Sequence, residues 1–88
     1  MIVELGRKSQ IEKEKVEQLQ KFSIDHPAKM PKIPKGHTIV CGLEQDGAEG
    51  ERIFLCETRK DVQDFWRKNA DLHGVQVSWY HTAAFQLQ

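Results

Sequence analysis

Residues 58–88 decide the fold class, and they read TRKDVQDFWRKNADLHGVQVSWYHTAAFQLQ. In the first part, apolar residues recur at intervals of three and four, which is the period of one face of a helix. Thr58 and Asp61 are spaced as a capping box at the start of that helix, and Gly74 is placed to end it. From Val75 onward, apolar and polar residues alternate, which is the period of a β-strand. A helix that leads into a strand predicts a mixed α+β domain.

Two further strands are predicted before this helix. The runs Thr38 to Leu43 and Arg52 to Glu57 are rich in β-branched and apolar residues, and a polar, acidic stretch with two glycines separates them. These runs predict a β-hairpin whose connection is longer than a two-residue turn. Gly42, inside the first run, predicts a bulge or a close approach of another group to the backbone.

The N-terminal part predicts a first helix and leaves a first strand open. Ser9 and Glu12 form another capping-box pattern, and the apolar residues that follow fall on one face of a helix from about Gln10 to Ser23. Met1 to Leu5 is a short apolar run that is either a strand or a frayed end.

The predicted order of elements is therefore (β)αββαβ, in a small α+β domain. The sheet is antiparallel or mixed, has three or four strands and carries both helices on one face. If Met1 to Leu5 is a strand, the order matches the ferredoxin-like, split βαβ arrangement. If it is not, a three-stranded sheet covered by helices remains. Enzymes, RNA binders and regulatory modules share the ferredoxin-like order, so it indicates no function by itself.

Length and composition predict a single domain over residues 1–88. A chain of this size buries roughly 60 to 70 per cent of its surface on folding, which suffices for one modest core. Its 39% hydrophobic and 30% charged residues are typical of a globular chain. The apolar runs are far shorter than the roughly 20 residues that span a bilayer, so we expect no membrane segment. Met1 to Gly6 lacks the charged start and long apolar stretch of a secretory signal, which predicts a cytoplasmic protein.

Residues 26–37 form a Pro/Lys-rich connector between the first helix and the hairpin, and they read HPAKMPKIPKGH. The three prolines forbid a helix and favour a polyproline-like backbone, which repeats every three residues. Lys29, Lys32 and Lys35 would then form a basic ridge suited to phosphates or to an acidic protein surface. The alternative is an ordinary linker. The 13 basic and 13 acidic residues of the chain cancel, which argues against a general nucleic-acid binder.

Cys41 and Cys56 lie on the two arms of the predicted hairpin. Reduced, buried cysteines that act as small apolar residues are the ordinary outcome in such strands. His37 or His81 would be near the pair, but no spacing matches the tight knuckle of a structural zinc site. The sequence contains no phosphate-binding glycine loop, nucleophile elbow or metalloprotease motif. We therefore expect no metal and no cofactor, and a small enzyme subunit that uses a cysteine or a histidine is a third-ranked hypothesis.

The final strand is longer than a domain of this size can cover. Roughly thirteen alternating residues would extend over roughly 40 Å at about 3.3 Å each. Either the chain bends near residues 82–84 and Phe85 and Leu87 return to the core, or residues 83–87 add a strand to the sheet of another chain. In the second case the C-terminal strand binds a target or forms a homodimer. The candidate binding residues on this strand are then Tyr80, His81 and Phe85, with Tyr80 as an exposed anchor of the kind enriched in interfaces.

These observations favour a small, non-enzymatic protein-binding module. It would be an adaptor, or an inhibitor that occludes the surface of its partner as small phage-borne inhibitors do. The support is the absence of catalytic motifs, the overlong final strand and an uneven distribution of charge. Residues 1–36 carry eight Lys or Arg against five acids, and residues 37–88 carry five against eight. The second hypothesis is nucleic-acid binding through the ridge of Lys29, Lys32 and Lys35, which would weaken steeply with salt.

Overall fold

The structure is a computed structural model that describes residues 1–85 of the chain. This part forms one sheet from five strands: β1 (Ile2–Arg7), β2 (Gln20–Lys21), β3 (Thr38–Gln45), β4 (Arg52–Cys56) and β5 (Val75–Thr82). The α-helices are α1 (Lys13–Glu17) and α2 (Arg59–Asn69), and single 3-10 turns lie at Lys8–Gln10 and Pro27–Lys29. The predicted small α+β architecture is confirmed, with one strand more than expected. Among these residues, no helix has the length and apolar character needed to cross a membrane.

The strands are ordered β1-β4-β3-β5-β2, and each neighbouring pair is antiparallel. Because β4 and β5 both run opposite to β3, which lies between them, β4, α2 and β5 form one split βαβ unit. The N-terminal apolar run is a strand, but it lies at one edge of the sheet, and the chain continues to β2 at the opposite edge. A ferredoxin-like sheet needs a second split unit, which this order does not form.

One face of the sheet packs against α2, and we call it the helix face. Side chains alternate along β3, so that Ile39 and Cys41 lie on the helix face and Val40 lies on the other. From α2, Val62 and Phe65 complete the core on this side. The connector of residues 26–37 also covers this face, where Met30 and Ile33 pack against the core.

The opposite face is covered by the segment that joins β1 to β2, and we call it the N-terminal face. Ile11 and Leu19, which flank α1, pack there against Val40, Ile53 and neighbouring residues. The two helices therefore lie on opposite faces, so the prediction that both lie on one face was wrong. The reason is the strand order, because the chain between β1 and β2 has to cross one face of the sheet to reach the opposite edge. Since α2 already covers the helix face, this segment crosses the N-terminal face.

The first helix is shorter than predicted. It ends at Glu17, and β2 then pairs with β5 through Gln20–Lys21. Leu19 packs on the N-terminal face and Phe22 packs on the helix face. One helix cannot deliver these two side chains to opposite sides of a sheet, so the chain passes round the edge as an extended segment. The bounds predicted for this helix, Gln10 to Ser23, were wrong.

β5 ends at Thr82, and the chain bends at residues 83–84. The Thr38 hydroxyl donates a hydrogen bond to the carbonyl oxygen of Phe85 at 3.0 Å, and the Phe85 side chain packs on the N-terminal face. As far as Phe85, the chain therefore folds back on its own core, and Leu87 lies outside the described residues. The bend leaves no extended strand at residues 83–85 to pair with another chain.

Candidate functional site

The outer edge of β5 is open over half its length. β2 pairs only with Tyr80 and His81 of this strand. One further bond joins the Phe22 N–H to the carbonyl oxygen of Trp79 at 2.8 Å. Over residues 75–78, this edge has no neighbouring strand in the part of the chain that the structure describes.

A groove of about 810 Å³ lies along this open edge. β5 and α2 form one side of it, and the segment that follows β2 forms the other. Three charged residues line it as well: Lys21, Asp25 and Lys29. Its apolar lining is formed by Phe22, Ile24, Trp66, Ala70, Val75, Val77 and Trp79.

Two tryptophans build the inner wall of the groove. Trp66 lies in the last two turns of α2, and its ring centroid is 5.9 Å from that of Trp79 on β5, with the planes at 39°. His26 packs edge-on against Trp66 with ring centroids 5.2 Å apart, which places the start of the connector against α2. The groove is therefore walled by rigid rings that the helix and the sheet hold in place.

The backbone of Val77 faces the groove without a partner. In an antiparallel sheet, successive residues direct their N–H and C=O groups to alternate neighbours. Because the Trp79 carbonyl bonds outward to Phe22, the backbone groups of Val77, two residues earlier, also point outward. Neither group has a hydrogen-bond partner among residues 1–85.

A second unpaired donor lies in the same wall. Trp79 is 1% exposed, and its indole Nε1 is the one buried side-chain nitrogen or oxygen in the described residues that lacks a hydrogen-bond partner. A buried N–H without an acceptor costs about 1–3 kcal/mol. This N–H is buried behind the groove lining, so the backbone of Val77 is the unsatisfied polar group that faces the groove.

The other edge of the sheet, β1, is less suited to strand pairing. Its register against β4 shifts between Glu4 and Gly6, which marks a bulge at Leu5. Arg52 donates two hydrogen bonds to the Glu4 carboxylate at 2.7 and 2.8 Å, and these bonds hold the pKa of Glu4 below its usual value. Bulges and charged side chains are the usual means by which proteins protect a sheet edge.

Tyr80 is buried, so the expectation that it is an exposed anchor was wrong. It is 6% exposed, and its hydroxyl donates to the two oxygens of Glu51 at 2.8 and 3.0 Å. Lys8 lies over the ring, 5.4 Å from its centroid, and 3.5 Å from the Glu51 carboxylate. Burial, together with the Glu51 bond, raises the pKa of Tyr80. The N-terminal segment covers this side of β5, which is why the tyrosine cannot meet a partner.

His81 and Phe85 are also engaged within the chain. The Nδ1 atoms of His81 and His37 lie 2.7 Å apart, so one ring donates a hydrogen bond to the other. The Phe22 ring also packs against His81, with centroids 4.8 Å apart. Burial, with the neighbouring His37, lowers the pKa of His81. Phe85 packs on the N-terminal face, 5.5 Å from the Lys15 ammonium. Neither predicted residue presents an open binding surface.

Lys29, Lys32 and Lys35 are all exposed, and we call them the lysine ridge. The connector is not extended throughout, because Pro27–Lys29 forms a 3-10 turn. Lys29 pairs with Asp25 at 2.8 Å. The ridge is thus the one predicted set of site residues that stays accessible, and its first member lines the groove.

The two cysteines are unsuited to nucleophilic catalysis. Cys41 and Cys56 are 0% and 2% exposed, and their sulfur atoms lie 3.0 Å apart. The hydrogen bond with Cys56, together with burial, raises the pKa of the Cys41 thiol. A cysteine nucleophile needs a lowered pKa and access to substrate. Within residues 1–85, no three His, Cys, Asp or Glu side chains are grouped to hold a metal ion.

Sequence reasoning missed the segment after β2 that closes the groove. Phe22 was assigned to a helical face, yet the apolar Phe22 and Ile24 also alternate with the polar Lys21, Ser23 and Asp25. That period of two is the signal that would have indicated an extended segment. It is only five residues long, and the helical pattern before it was the stronger one.

Comparisons with protein-family models, with curated proteins and with solved structures found no match to this chain.

Proposed function

We propose that the chain is a non-enzymatic protein-binding module that takes up an extended segment of a partner as an additional strand beside β5. The observation that carries this proposal is the outer edge of β5, which has no neighbouring strand over residues 75–78 among the described residues and opens on a groove with an aromatic inner wall. Addition of a strand to an exposed sheet edge is a recurring mode of peptide recognition. Such a module acts by occupancy, as an adaptor or as an inhibitor that occludes the bound segment.

The chemistry of the edge favours an extended polypeptide as the occupant. The N–H and C=O of Val77 are complementary to the backbone of a neighbouring strand. Alternate side chains of that strand would point toward the aromatic wall of Trp66 and Trp79. The open edge spans about 13 Å at 3.3 Å per residue, so we expect the backbone contacts to involve about four residues of the partner.

This proposal keeps the C-terminal strand as the binding element but moves the site along it. The sequence predicts an added strand at residues 83–87, but as far as Phe85 the chain bends and packs on its own core. The open edge is at the other end of β5, beside the C-terminal part of α2.

The test begins with selection of peptides from a displayed random library on the immobilised full chain. Binding of a selected peptide is then mapped by amide chemical shifts and by hydrogen exchange. We expect the shifts to cluster around the groove and the Val77 amide to become protected, because the added strand supplies its acceptor. Protection that appears at β1 instead would refute the proposed site.

Two variants make the test specific. Ala70 lines the groove, so Ala70→Arg fills it and should weaken peptide binding by about tenfold or more. Ala48→Arg is the matched control, because Ala48 is exposed in the loop between β3 and β4. Val77→Pro removes the outward N–H and should also weaken binding, provided that its unfolding midpoint shows a folded chain. Unchanged binding in both groove variants would contradict the proposal.

A further inference from the structure

The lysine ridge begins at the groove and leads away from it. Lys29 lines the groove, and Lys32 and Lys35 follow along the connector. His26 at its start packs on Trp66, and the Pro31 carbonyl oxygen accepts a hydrogen bond from Arg59 at 3.4 Å. The connector therefore runs beside α2 from the groove toward the first turn of that helix.

A repeat of three residues keeps the lysines on one side. Pro27 and Met30 are buried and Ile33 is half-buried, so every third residue of the connector faces the core. A 3-10 turn and a polyproline-like segment both repeat about every three residues, so the change of backbone at Lys29 does not break the repeat. The lysines of the ridge share a second phase of this repeat, which is exposed.

The acids near the ridge are already engaged. Asp25 pairs with Lys29, and Asp61 and Glu57 take the N-terminal ammonium at 2.6 and 3.3 Å. Within residues 1–85, Lys32 and Lys35 have no ionic partner. The outer part of the ridge is therefore a positive strip with its charge available.

We propose that the segment bound in the groove continues, at one end, into a run of acidic residues that lies along the lysine ridge. This inference rests on the proposed function, and it assigns the partner a chemistry: an extended apolar stretch followed by carboxylates. The ridge from Lys29 to Lys35 spans about 19 Å at about 3.1 Å per residue, which suits a tail of four to six residues.

Nucleic acid fits the same ridge less well. The formal net charge of the chain is +0, so no overall field attracts a polyanion. Single-stranded nucleic acid is usually held by bases stacked on exposed aromatic rings. The exposed large hydrophobic residues of the described chain are Met1, Ile2 and Leu72, none of which is aromatic.

The experiment uses the full chain and one groove-binding peptide selected as above, labelled and extended by four glutamates, four serines or four lysines at either end. Fluorescence anisotropy measures each affinity at about 50 mM and about 500 mM NaCl. We expect the glutamate tail at one end to bind about tenfold tighter than the serine tail at low salt, and most of that advantage to disappear at high salt. Equal binding of all tails would overturn the inference while leaving the proposed groove intact.

Charge-reversal variants locate the effect. Lys32→Glu with Lys35→Glu should remove the advantage of the glutamate tail and leave the serine-tailed peptide unaffected, because neither lysine lines the groove. Lys13→Glu with Lys68→Glu, the same charge change at exposed sites elsewhere, should keep the advantage. A single-stranded oligothymidine that binds through the ridge more tightly than the glutamate-tailed peptide would overturn the inference. Failure to select any groove-binding peptide would overturn both proposals.

Discussion

Gly42 shows at the scale of one residue how the N-terminal face is packed. It lies in the middle of β3, and a Cβ added there would overlap the Glu51 carboxylate and lie 3.0 Å from the Tyr80 ring. That carboxylate is held over the glycine by the Tyr80 hydroxyl and by Lys8. Of the two roles that the sequence offered for Gly42, a close approach is the one observed.

We predict that Gly42→Ala lowers the free energy of unfolding by about 1–3 kcal/mol, because the added Cβ displaces the Glu51 carboxylate from its contacts with Tyr80 and Lys8. Urea unfolding followed by fluorescence measures the loss. In a Glu51→Ala background the main clash is absent, so the same substitution should cost clearly less. An equal cost in both backgrounds would mean that the carboxylate is not the source.

His81 makes the stability of the chain depend on pH. Its pKa is lowered in the folded state by burial and by His37, from an ordinary value of 6.5. Below pH of about 6.5 the unfolded chain therefore binds more protons than the folded chain. The contribution of neutral His81 to the free energy of unfolding is fully present above this pH. It is lost as the pH falls toward the lowered pKa of His81.

We therefore predict that the thermal unfolding midpoint decreases as the pH is lowered from 7.5 to 5.5. These two values bracket the ordinary histidine pKa of about 6.5. His81→Gln removes the buried titrating group and should flatten this fall, measured by circular dichroism. His73→Gln is the control, because His73 is exposed and its replacement should leave the slope as it was. A slope that persists in His81→Gln would assign the pH dependence to other groups.

At the scale of elements, the patterns that were predicted correctly are local and uninterrupted. The capping box of Thr58 and Asp61 begins α2, and the alternation from Val75 gives β5. The predicted bounds of the first helix were wrong because its apolar residues pack on two different faces of the sheet. Leu19 and Phe22 fit one helical stripe in sequence, but they lie on opposite sides of the sheet. Local periodicity cannot show which face a side chain will reach.

The segment that follows β5 has a role in stability that can be tested. Phe85 packs on the N-terminal face, and its carbonyl oxygen is bonded by Thr38. We predict that Phe85→Ala lowers the free energy of unfolding by about 2 kcal/mol, less than for a fully buried phenylalanine. Leu72→Ala, at a side chain that is 54% exposed, is the control and should cost little. Urea unfolding measures both, and a negligible loss in Phe85→Ala would show that this residue does not belong to the core.

At the scale of the whole molecule, the strand order could not be predicted from the sequence. The hairpin of β3 and β4 and the unit of β4, α2 and β5 follow from neighbours along the chain. The position of β1 beside β4 and of β2 beside β5 depends on pairings between residues that are about 50 and 60 apart, such as Val3 with Leu55 and Gln20 with His81. The open half of β5 exists because β2 is only two residues long, and so the groove could not be predicted either.

The same strand order predicts the association state. The edge of β1 is interrupted by a bulge and an ion pair, and the open edge of β5 is limited to residues 75–78. Two copies that paired there would contact each other through about four residues each. Such a contact buries much less surface than the roughly 1,000 Å² of a stable interface. We therefore expect a monomer of 10.2 kDa at low and moderate salt, measured by light scattering coupled to size exclusion. A salt-independent dimer that Ala70→Arg dissociates would instead mean that a second copy of the chain already occupies the groove, and the partner segment would then belong to this protein itself.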